Sequence, residues 1–469
     1  MNAESLEQIA AEYRLYKEPG LNLTRVTLSD ILPKIGALKG RNDISVIQAG
    51  ISIEGRKIFR IKTGSGTIKV LLWSQMHGDE STATKAIFDL INFFTTEHSH
   101  AASAKKLLNK LEIHFIPMLN PDGAEKFTRE NSLNIDLNRD AVNLQCPEAR
   151  LLKKIEEELK PEFCFNLHDQ ERYYSAARTG LTPAISFLAP PIDYDDTVNS
   201  AREKAMQLIV FLKNILDKHI PGRIAKYSDD HEPRSFGDNF NRLGSSTVLI
   251  ESGFIPGDSN KEKIREYNFI ALLSAFNSIA TGSYTLASTD SYYDIPENER
   301  RVFDLMIKGA SLRREGKDYI VDIGVNRVDS FDSDLQVFYS KGIIKEVGDL
   351  STFTAHEVID CTGLLISEGR VSEEVFNSAG CIEELHLEHL YRQGVTTISC
   401  KDCSVMQEYI KKPFNVILRN NIKRHEIKTE MPANFYLSNE NGVRYLIVNG
   451  FPITFSFNKN LIRNGLIFR

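Results

Sequence analysis

Four short runs up to Ala280 are apolar at nearly every position: IKVLLW from Ile68, LEIHFIPML from Leu111, FCFNL from Phe163 and STVLI from Ser246. Between and after them, apolar residues recur with helical spacing over Thr82–Thr96, Pro147–Leu159, Val198–Leu216 and Lys261–Ala280. A strand buried on both faces loses the alternation of a half-exposed one, and such strands interleaved with helices build a parallel sheet covered on both sides. The pattern predicts an α/β domain with a mixed, mostly parallel sheet flanked by helices.

After Ala280 the pattern changes. The polar stretch TGSYTLASTDSYYDIPENERR carries no helical stripe and predicts a linker, placed at 286–300 after a first domain of residues 1–285. From 301 to 469 the chain reads as short strands with turn signals, such as FDLMIKGASL, YIVDIGVNRV, LQVFYSKGIIKEVG and VRYLIVNGFPITFSF. This predicts a smaller, β-rich second domain.

Length agrees with that division, because 469 residues exceed what one hydrophobic core usually serves. A formal net charge of −6 offers no basic field to nucleic acid. The N-terminal MNAESLEQIAAEYRLYKEPG has neither a basic leader nor a long apolar run, and no segment approaches the roughly 18 apolar residues of a membrane span. The expectation is a soluble, cytoplasmic protein that binds neither nucleic acid nor membrane. Cys146, Cys164, Cys361 and Cys381 stand singly, which suits reduced thiols. CKDC, Cys400 to Cys403, lacks the second pair or histidines of a structural zinc site, and reads as two ordinary thiols at a strand end.

The chemistry follows the strands. In an open α/β sheet, ligands bind where the loops at the carboxyl ends of the strands meet. His77 and Glu80 follow VLLWSQ, NPDG follows IHFIPML, His168 follows FCFNL, and Glu251 follows VLI. Two imidazoles and a carboxylate, with one position left open for water, make a catalytic zinc site, and His77, Glu80 and His168 offer that set. In NPDGAEKFTRENSLNIDLNRDAVNLQCPEAR, Arg129, Asn138 and Arg139 add groups able to hold a carboxylate or an oxyanion, although Glu130, Asp136 and Asp140 are nearby acidic partners for the arginines.

SIEGRKI, MHGDE, NPDG, RENSLNIDLNRD, PEAR, NLH and LIES, in this order, resemble the zinc carboxypeptidase family, especially its carboxypeptidase E and N-like members. The resemblance runs from about Ser52 to Ala280. It implies one zinc ion per chain held by His77, Glu80 and His168, with Glu251 as the catalytic carboxylate. It implies that Arg129 polarises the scissile carbonyl, and that Asn138 and Arg139 hold the terminal carboxylate of a peptide or peptide-like substrate. Each role has a physical basis: zinc acidifies water, a carboxylate shuttles its proton, and a guanidinium stabilises an oxyanion.

The sequence departs from the family at a lid tyrosine expected about eleven residues before the catalytic glutamate, where Phe240 or Asn241 stands; Tyr227, further upstream, is an alternative source of the phenol. Asp169 and Gln170 read either as partners orienting His168 or as strand-end solvation, and Asp238 either as a selector of cationic side chains or as a turn cap. His98, His100 and His114 read as structural, His231 either as structural or as part of the cleft rim, and His386 with His389, at i and i+3 of a helical pattern, as a solvated helix face rather than a metal pair. FDLMIKGASL, DIGV, GIIKEVGDL and VIDCTGLLISEGRV, followed by YRQGVTT, are faintly similar to the opening β segment of amidohydrolases. The second domain is therefore expected to be noncatalytic, packing beside the cleft or mediating homo-oligomers. Besides a zinc carboxypeptidase, two functions remain open: a deacylase of N-acyl amino acids resembling aspartoacylase or succinylglutamate desuccinylase, and a catalytically silent zinc-containing binding module.

Overall fold

The four apolar runs become four neighbouring parallel strands in the middle of an eight-stranded sheet in the computed structural model of the chain. The structure describes residues 3–332, 334–378, 388–402, 409–412, 414–418, 426–453 and 464–468. It divides into two units, Met1–Arg300 and Arg301–Arg469.

In the first unit, helices α1 (Ala3–Ala11) and α2 (Leu28–Leu38) precede a hairpin of β1 (Ile44–Ile51) and β2 (Lys57–Thr63). Then come β3 (Ile68–Trp73), α3 (Thr82–Thr95), α4 (Ala101–Leu108), β4 (Leu111–Ile116), α5 (Pro121–Lys126), α6 (Pro147–Leu159) and β5 (Phe163–Asp169). After the short β6 (Tyr174–Ala176) follow β7 (Ile185–Leu188), α7 (Ser200–Leu216), β8 (Ile224–Lys226), α8 (Phe236–Leu243), β9 (Ser246–Ser252) and α9 (Glu262–Thr281). The sheet order is β1-β2-β4-β3-β5-β9-β7-β8, antiparallel at the β1-β2, β2-β4 and β9-β7 pairings. The chain leaves β3 for β4 on one side and returns to β5 on the other, so the order reverses at β3. That reversal opens a crevice at the carboxyl ends of β3 and β5.

Alternate residues of the central strands serve two cores. Val70, Leu72, Phe163, Phe165, Val248 and Ile250 pack with residues of α3, α7 and α9. Leu71, Trp73 and Cys164 face the other way, against Leu152 of α6 and Phe236 and Phe240 of α8. Burial of one such aromatic side chain stabilises the fold by about 1.5–3 kcal/mol.

The N-terminal segment belongs to the first of these cores, with Ile9, Tyr13, Tyr16, Leu21 and Ile31 buried in it. A fully buried ion pair fastens it: Arg265 of α9 grips Asp89 of α3 through Nε at 2.7 Å and Nη2 at 2.6 Å. Tyr13 Oη and the Glu18 backbone N–H donate to the same carboxylate, and Arg265 donates to the carbonyls of Leu21 and Glu18.

Residues 286–300, expected as a linker, are packed into the first unit. Helix α10 (Asp290–Tyr293) buries Tyr292, whose hydroxyl donates to Asp229, and β10 (Asn298–Arg300) pairs antiparallel with β6. The Tyr-rich composition that made the stretch look like a spacer supplies this anchor.

In the second unit, β11 (Val302–Arg314), β12 (Lys317–Asp332) and β13 (Val337–Gly348) form an antiparallel meander, and β14 (Thr354–Asp360) and β15 (Leu365–Glu368) run parallel to β11. A second sheet joins β16 (Arg370–Ser378), β17 (Val395–Asp402), β18 (Tyr409–Ile410), β19 (Asn415–Leu418) and β23 (Gly465–Phe468), after β20 (Phe435–Asn439), β21 (Gly442–Val448) and β22 (Phe451–Ile453) have extended the first. Its strands β16, β17, β19 and β23 are parallel, and helix α11 (Glu388–Arg392) precedes β17. Cys400 is buried in β17, whereas Cys381, His386 and Cys403 lie outside the described residues. Among the described residues no helix is long and apolar enough to cross a membrane.

Candidate metal centre and substrate cleft

The turn between β3 and α3 is built by close backbone contact. A Cβ on Gly78 would lie 2.0 Å from the carbonyl carbon of Gly123, so the MHGDE turn can touch the NPDG turn only because it carries glycine there. Asn120 caps α5 by accepting from Gly123 N–H, and its Nδ2 donates to the Met76 carbonyl. The buried Asp122 accepts from Ser52 Oγ and Arg56 Nη1, both at 2.7 Å, and from Glu54 N–H at 2.9 Å. Likewise Glu148 of PEAR accepts from Ile53 N–H. SIEGRKI, NPDG and PEAR are thus a scaffold that holds one turn in place.

That turn presents His77 and Glu80, both buried, toward His168 at the end of β5. His77 Nδ1 lies 2.7 Å from Glu80 Oε1, His168 Nδ1 lies 2.8 Å from Glu80 Oε2, and the two Nδ1 atoms are 3.1 Å apart. Both ring nitrogens and the carboxylate converge on one point. Neighbouring ligands on a tetrahedral ion with bonds of about 2.0–2.1 Å stand about 3.3 Å apart, so this triangle is of a size to close on zinc. It is the one such group of His, Cys, Asp or Glu among the described residues.

Asp136 lies against the other ring nitrogen of His77. Its Oδ1 sits 3.1 Å from His77 Nε2, which leaves Nδ1 for the metal side, and Oδ2 accepts from Arg129 Nε and Nη2 at 3.2 and 3.0 Å. Burial opposes the His77 cation, yet Glu80 and Asp136 together push the imidazole up to about 9. Burial works against Glu80 too, but its two histidines hold that carboxyl well below the usual range. Burial lowers His168, whose Nε2 has no hydrogen-bond partner. In the sequence Asp136 reads as a surface partner for the arginines; its place two residues before Asn138 is the clue to this second contact.

Glu251 stands beside His168 in register on β9, with one buried oxygen unpartnered. Burial, and then the charge of Glu80, push its carboxyl well up. Arg129 reaches the same centre, with Nη1 at 3.1 Å from His77 Nδ1 and 3.4 Å from Glu80 Oε1. Asn138 is buried and accepts from Phe236 N–H at the start of α8. Arg139 is exposed, its Nε 3.1 Å from Glu232 Oε2, and Glu232 is also gripped in two-point fashion by Arg234.

Other candidates fall elsewhere. Phe240 is buried against Trp73, ring centroids 5.5 Å apart, and Asn241 bonds Pro190 and Thr247, so neither borders the centre. Tyr227 does: burial and the neighbouring Glu251 push its phenol up, and it packs on Tyr174 at 5.8 Å between ring centroids. Asp169 accepts from Thr82 and Lys261, and Gln170 from Asn298, so neither orients His168. Asp238 accepts from Glu232 N–H and Ser235 and lies 2.9 Å from His231 Nδ1, which makes it a cap and not a free anion. His98, His100 and His114 lie apart from the centre; His98 bonds Phe93 and His114 bonds Glu112.

Comparison with known proteins bears on this geometry. Residues 37–161 match the family model described as zinc carboxypeptidase. This segment is similar to the zinc carboxypeptidase family. The matched segment carries His77, Glu80, Arg129, Asn138 and Arg139, whereas His168 and Glu251 arrive from strands beyond it. Probable carboxypeptidase 2 of Arthroderma benhamiae is 30% identical over 115 residues, covering 24% of this chain and 20% of that protein. Carboxypeptidase M of Mus musculus is 28% identical over 106 residues, covering 19% and 24%. The chain spans about a fifth of the length of the curated relatives it matches. Among solved structures, a metallo-carboxypeptidase from Burkholderia cenocepacia aligns with a TM-score of 0.44 at 16% identity, covering 55% of this chain and 70% of that one. Carboxypeptidase A from Helicoverpa armigera aligns at 0.44 and 14%, covering 61% and 80%.

Proposed function

We propose that the chain is a zinc-dependent carboxypeptidase that removes the terminal residue from peptides or peptide-like conjugates bearing a free carboxylate. The observation that carries the reading is the convergence of His77, Glu80 and His168 on one point with Glu251 alongside in register. The two nitrogens and one carboxylate suit zinc and leave a position open for water. When bound there, zinc polarises the scissile carbonyl and lowers the pKa of water from about 16 toward 7.

The remaining work falls to this chain's own residues. Glu251, raised by its dry surroundings, takes a proton from the attacking water and returns it to the leaving amine. Arg129, held flat by Asp136, donates to the oxyanion, a contribution of about 3 kcal/mol for one well-placed donor. Asn138 and Arg139 grip the terminal carboxylate, and Tyr227 offers a phenolic O–H beside Glu251. Together these groups restrict cleavage to the chain end.

The test is to incubate zinc-loaded protein with a mixed library of peptides and N-acyl amino acids and follow the products by mass spectrometry. Loss of single C-terminal residues by the wild type and not by Glu251→Gln is expected. Deacylation without trimming would refute the proposal in favour of a deacylase. Unchanged ligand binding with no turnover in either protein would make it a binding module.

A further inference from the structure

Beside the metal centre lies a set of polar side chains that the proposed chemistry does not use. Asn166 of β5 is fully buried, and neither its Oδ1 nor its Nδ2 has a hydrogen-bond partner. Ser186 of β7 and Trp73 of β3 are equally buried, with Ser186 Oγ and Trp73 Nε1 unpartnered. Buried polar atoms in native proteins are nearly always satisfied, and each that is not costs free energy, so four on adjoining residues call for a partner.

Strand register puts them on one face. His168, Glu251 and Ser186 form one row across β5, β9 and β7; Trp73, Asn166, Leu249 and Leu188 form the next, two residues further from the carboxyl ends of β5 and β9. Residues two apart in a strand share a face and stand about 7 Å apart, the reach of a side chain. Leu249 and Leu188, though on inner strands, are partly exposed, so solvent reaches this face one strand away from the buried Asn166. The carboxylate grip approaches from the same side, since Asn138 is bonded to the first residue of α8, the helix whose Phe236 and Phe240 cover this face.

Resting on the carboxypeptidase reading, we infer that Asn166, Ser186 and Trp73 floor the pocket for the leaving residue's side chain and select an uncharged hydrogen-bonding group, above all a carboxamide such as glutamine or asparagine. Asn166 offers both an acceptor and a donor, Ser186 either, and Trp73 a donor, which matches the C=O and NH2 of an amide. The row of Trp73, Asn166, Leu249 and Leu188 contains no ionisable residue to pair with a charged side chain, Asp238 is occupied as a cap, and Glu251 in the neighbouring row is committed to the proposed proton transfer. An aliphatic side chain would seal the polar atoms in unpaired, the situation in which discrimination is strongest.

The experiment compares N-acetylated peptides of one sequence ending in Gln, Asn, Leu, Phe, Lys or Glu, cleaved by zinc-loaded wild type, Asn166→Leu and Asn166→Asp. Wild type should favour Gln and Asn by at least about tenfold in kcat/KM. Asn166→Leu should move the preference to Leu, and the near-isosteric Asn166→Asp should move it to Lys. Asn166→Leu should also raise the Tm of the ligand-free protein, since unpartnered amide atoms are removed. Equal rates for Gln and Leu peptides in both wild type and Asn166→Leu would mean that these atoms hold ordered water only, and would overturn the inference. Trimming with a different preference also overturns it while leaving the carboxypeptidase reading intact. If no peptide is trimmed, that reading fails and binding decides: free L-glutamine, and not L-leucine, must stabilise wild type against heat, with the order reversed in Asn166→Leu.

Discussion

Zinc affinity should depend on pH through one identified proton. Without metal, burial disfavours a charged His77, but Glu80 at 2.7 Å and Asp136 at 3.1 Å more than offset it and push the imidazole from 6.5 up to about 9. A metal needs the Nδ1 lone pair, so below about pH 9 binding must expel that proton. Each pH unit below 9 then weakens binding about tenfold; between pH 9 and pH 7 the loss is about 100-fold, or about 2.7 kcal/mol. His168, already lowered by burial, adds no proton at neutral pH. The metal-free fold responds in the opposite sense: a raised histidine stabilises fully below its unfolded pKa near 6.5, and that contribution is lost as pH rises through about 9. Competition with a chromophoric chelator, corrected for the chelator's own protonation, measures the slope. Calorimetry in buffers of different ionisation enthalpy counts the proton. Asp136→Asn should lower the pH at which affinity levels off, because one of the two carboxylates sustaining the His77 cation is gone. An affinity flat between pH 7 and 9, with no proton released at pH 7, would refute the reasoning.

Three further outcomes are expected. Glu232→Gln frees Arg139 from its internal carboxylate and should lower KM for peptides with a free C-terminus a few-fold at unchanged kcat, the modest scale of a partly exposed ion pair, while leaving C-terminal amides unaffected. Asp89→Ala leaves Arg265 charged and buried without its partner and should cost about 3–5 kcal/mol in urea denaturation, whereas replacing both residues with apolar ones should recover most of it. Tyr227→Phe should lower kcat/KM with the protein still binding zinc normally; no change in either would remove the phenol from the site.

Much of the site was legible because its residues follow strands that announce themselves by continuous hydrophobicity. IKVLLW, FCFNL and STVLI could only be central strands, and whatever follows a central parallel strand faces the same crevice. Side chains fixed by local contacts were less legible. Phe240 or Asn241 stands where chain distance from Glu251 places a lid tyrosine, whereas Phe240 packs under Trp73 and the phenol near Glu251 is that of Tyr227, after β8. Asp136 was obscured because a carboxylate among arginines reads as a surface ion pair until His77 is seen on its other oxygen. Asn166 is not legible inside NLH, because an asparagine in an apolar strand carries no pattern that tells a paired amide from an unpaired one. The stretch 286–300 resembled a spacer because its order comes from one buried tyrosine and three residues of strand pairing, neither of which has a periodic signature.

The N-terminal ion pair has a practical consequence for anyone cutting the gene. Similarity to the family begins at residue 37, which invites expression of a trimmed fragment from there. Such a fragment would retain Asp89 and Arg265 but lose Tyr13, Glu18 and Leu21, leaving the bonded pair open to water with an apolar groove around it. The border drawn by homology runs through the interior of the domain, and a fragment that respects the physics must carry the first 36 residues with it.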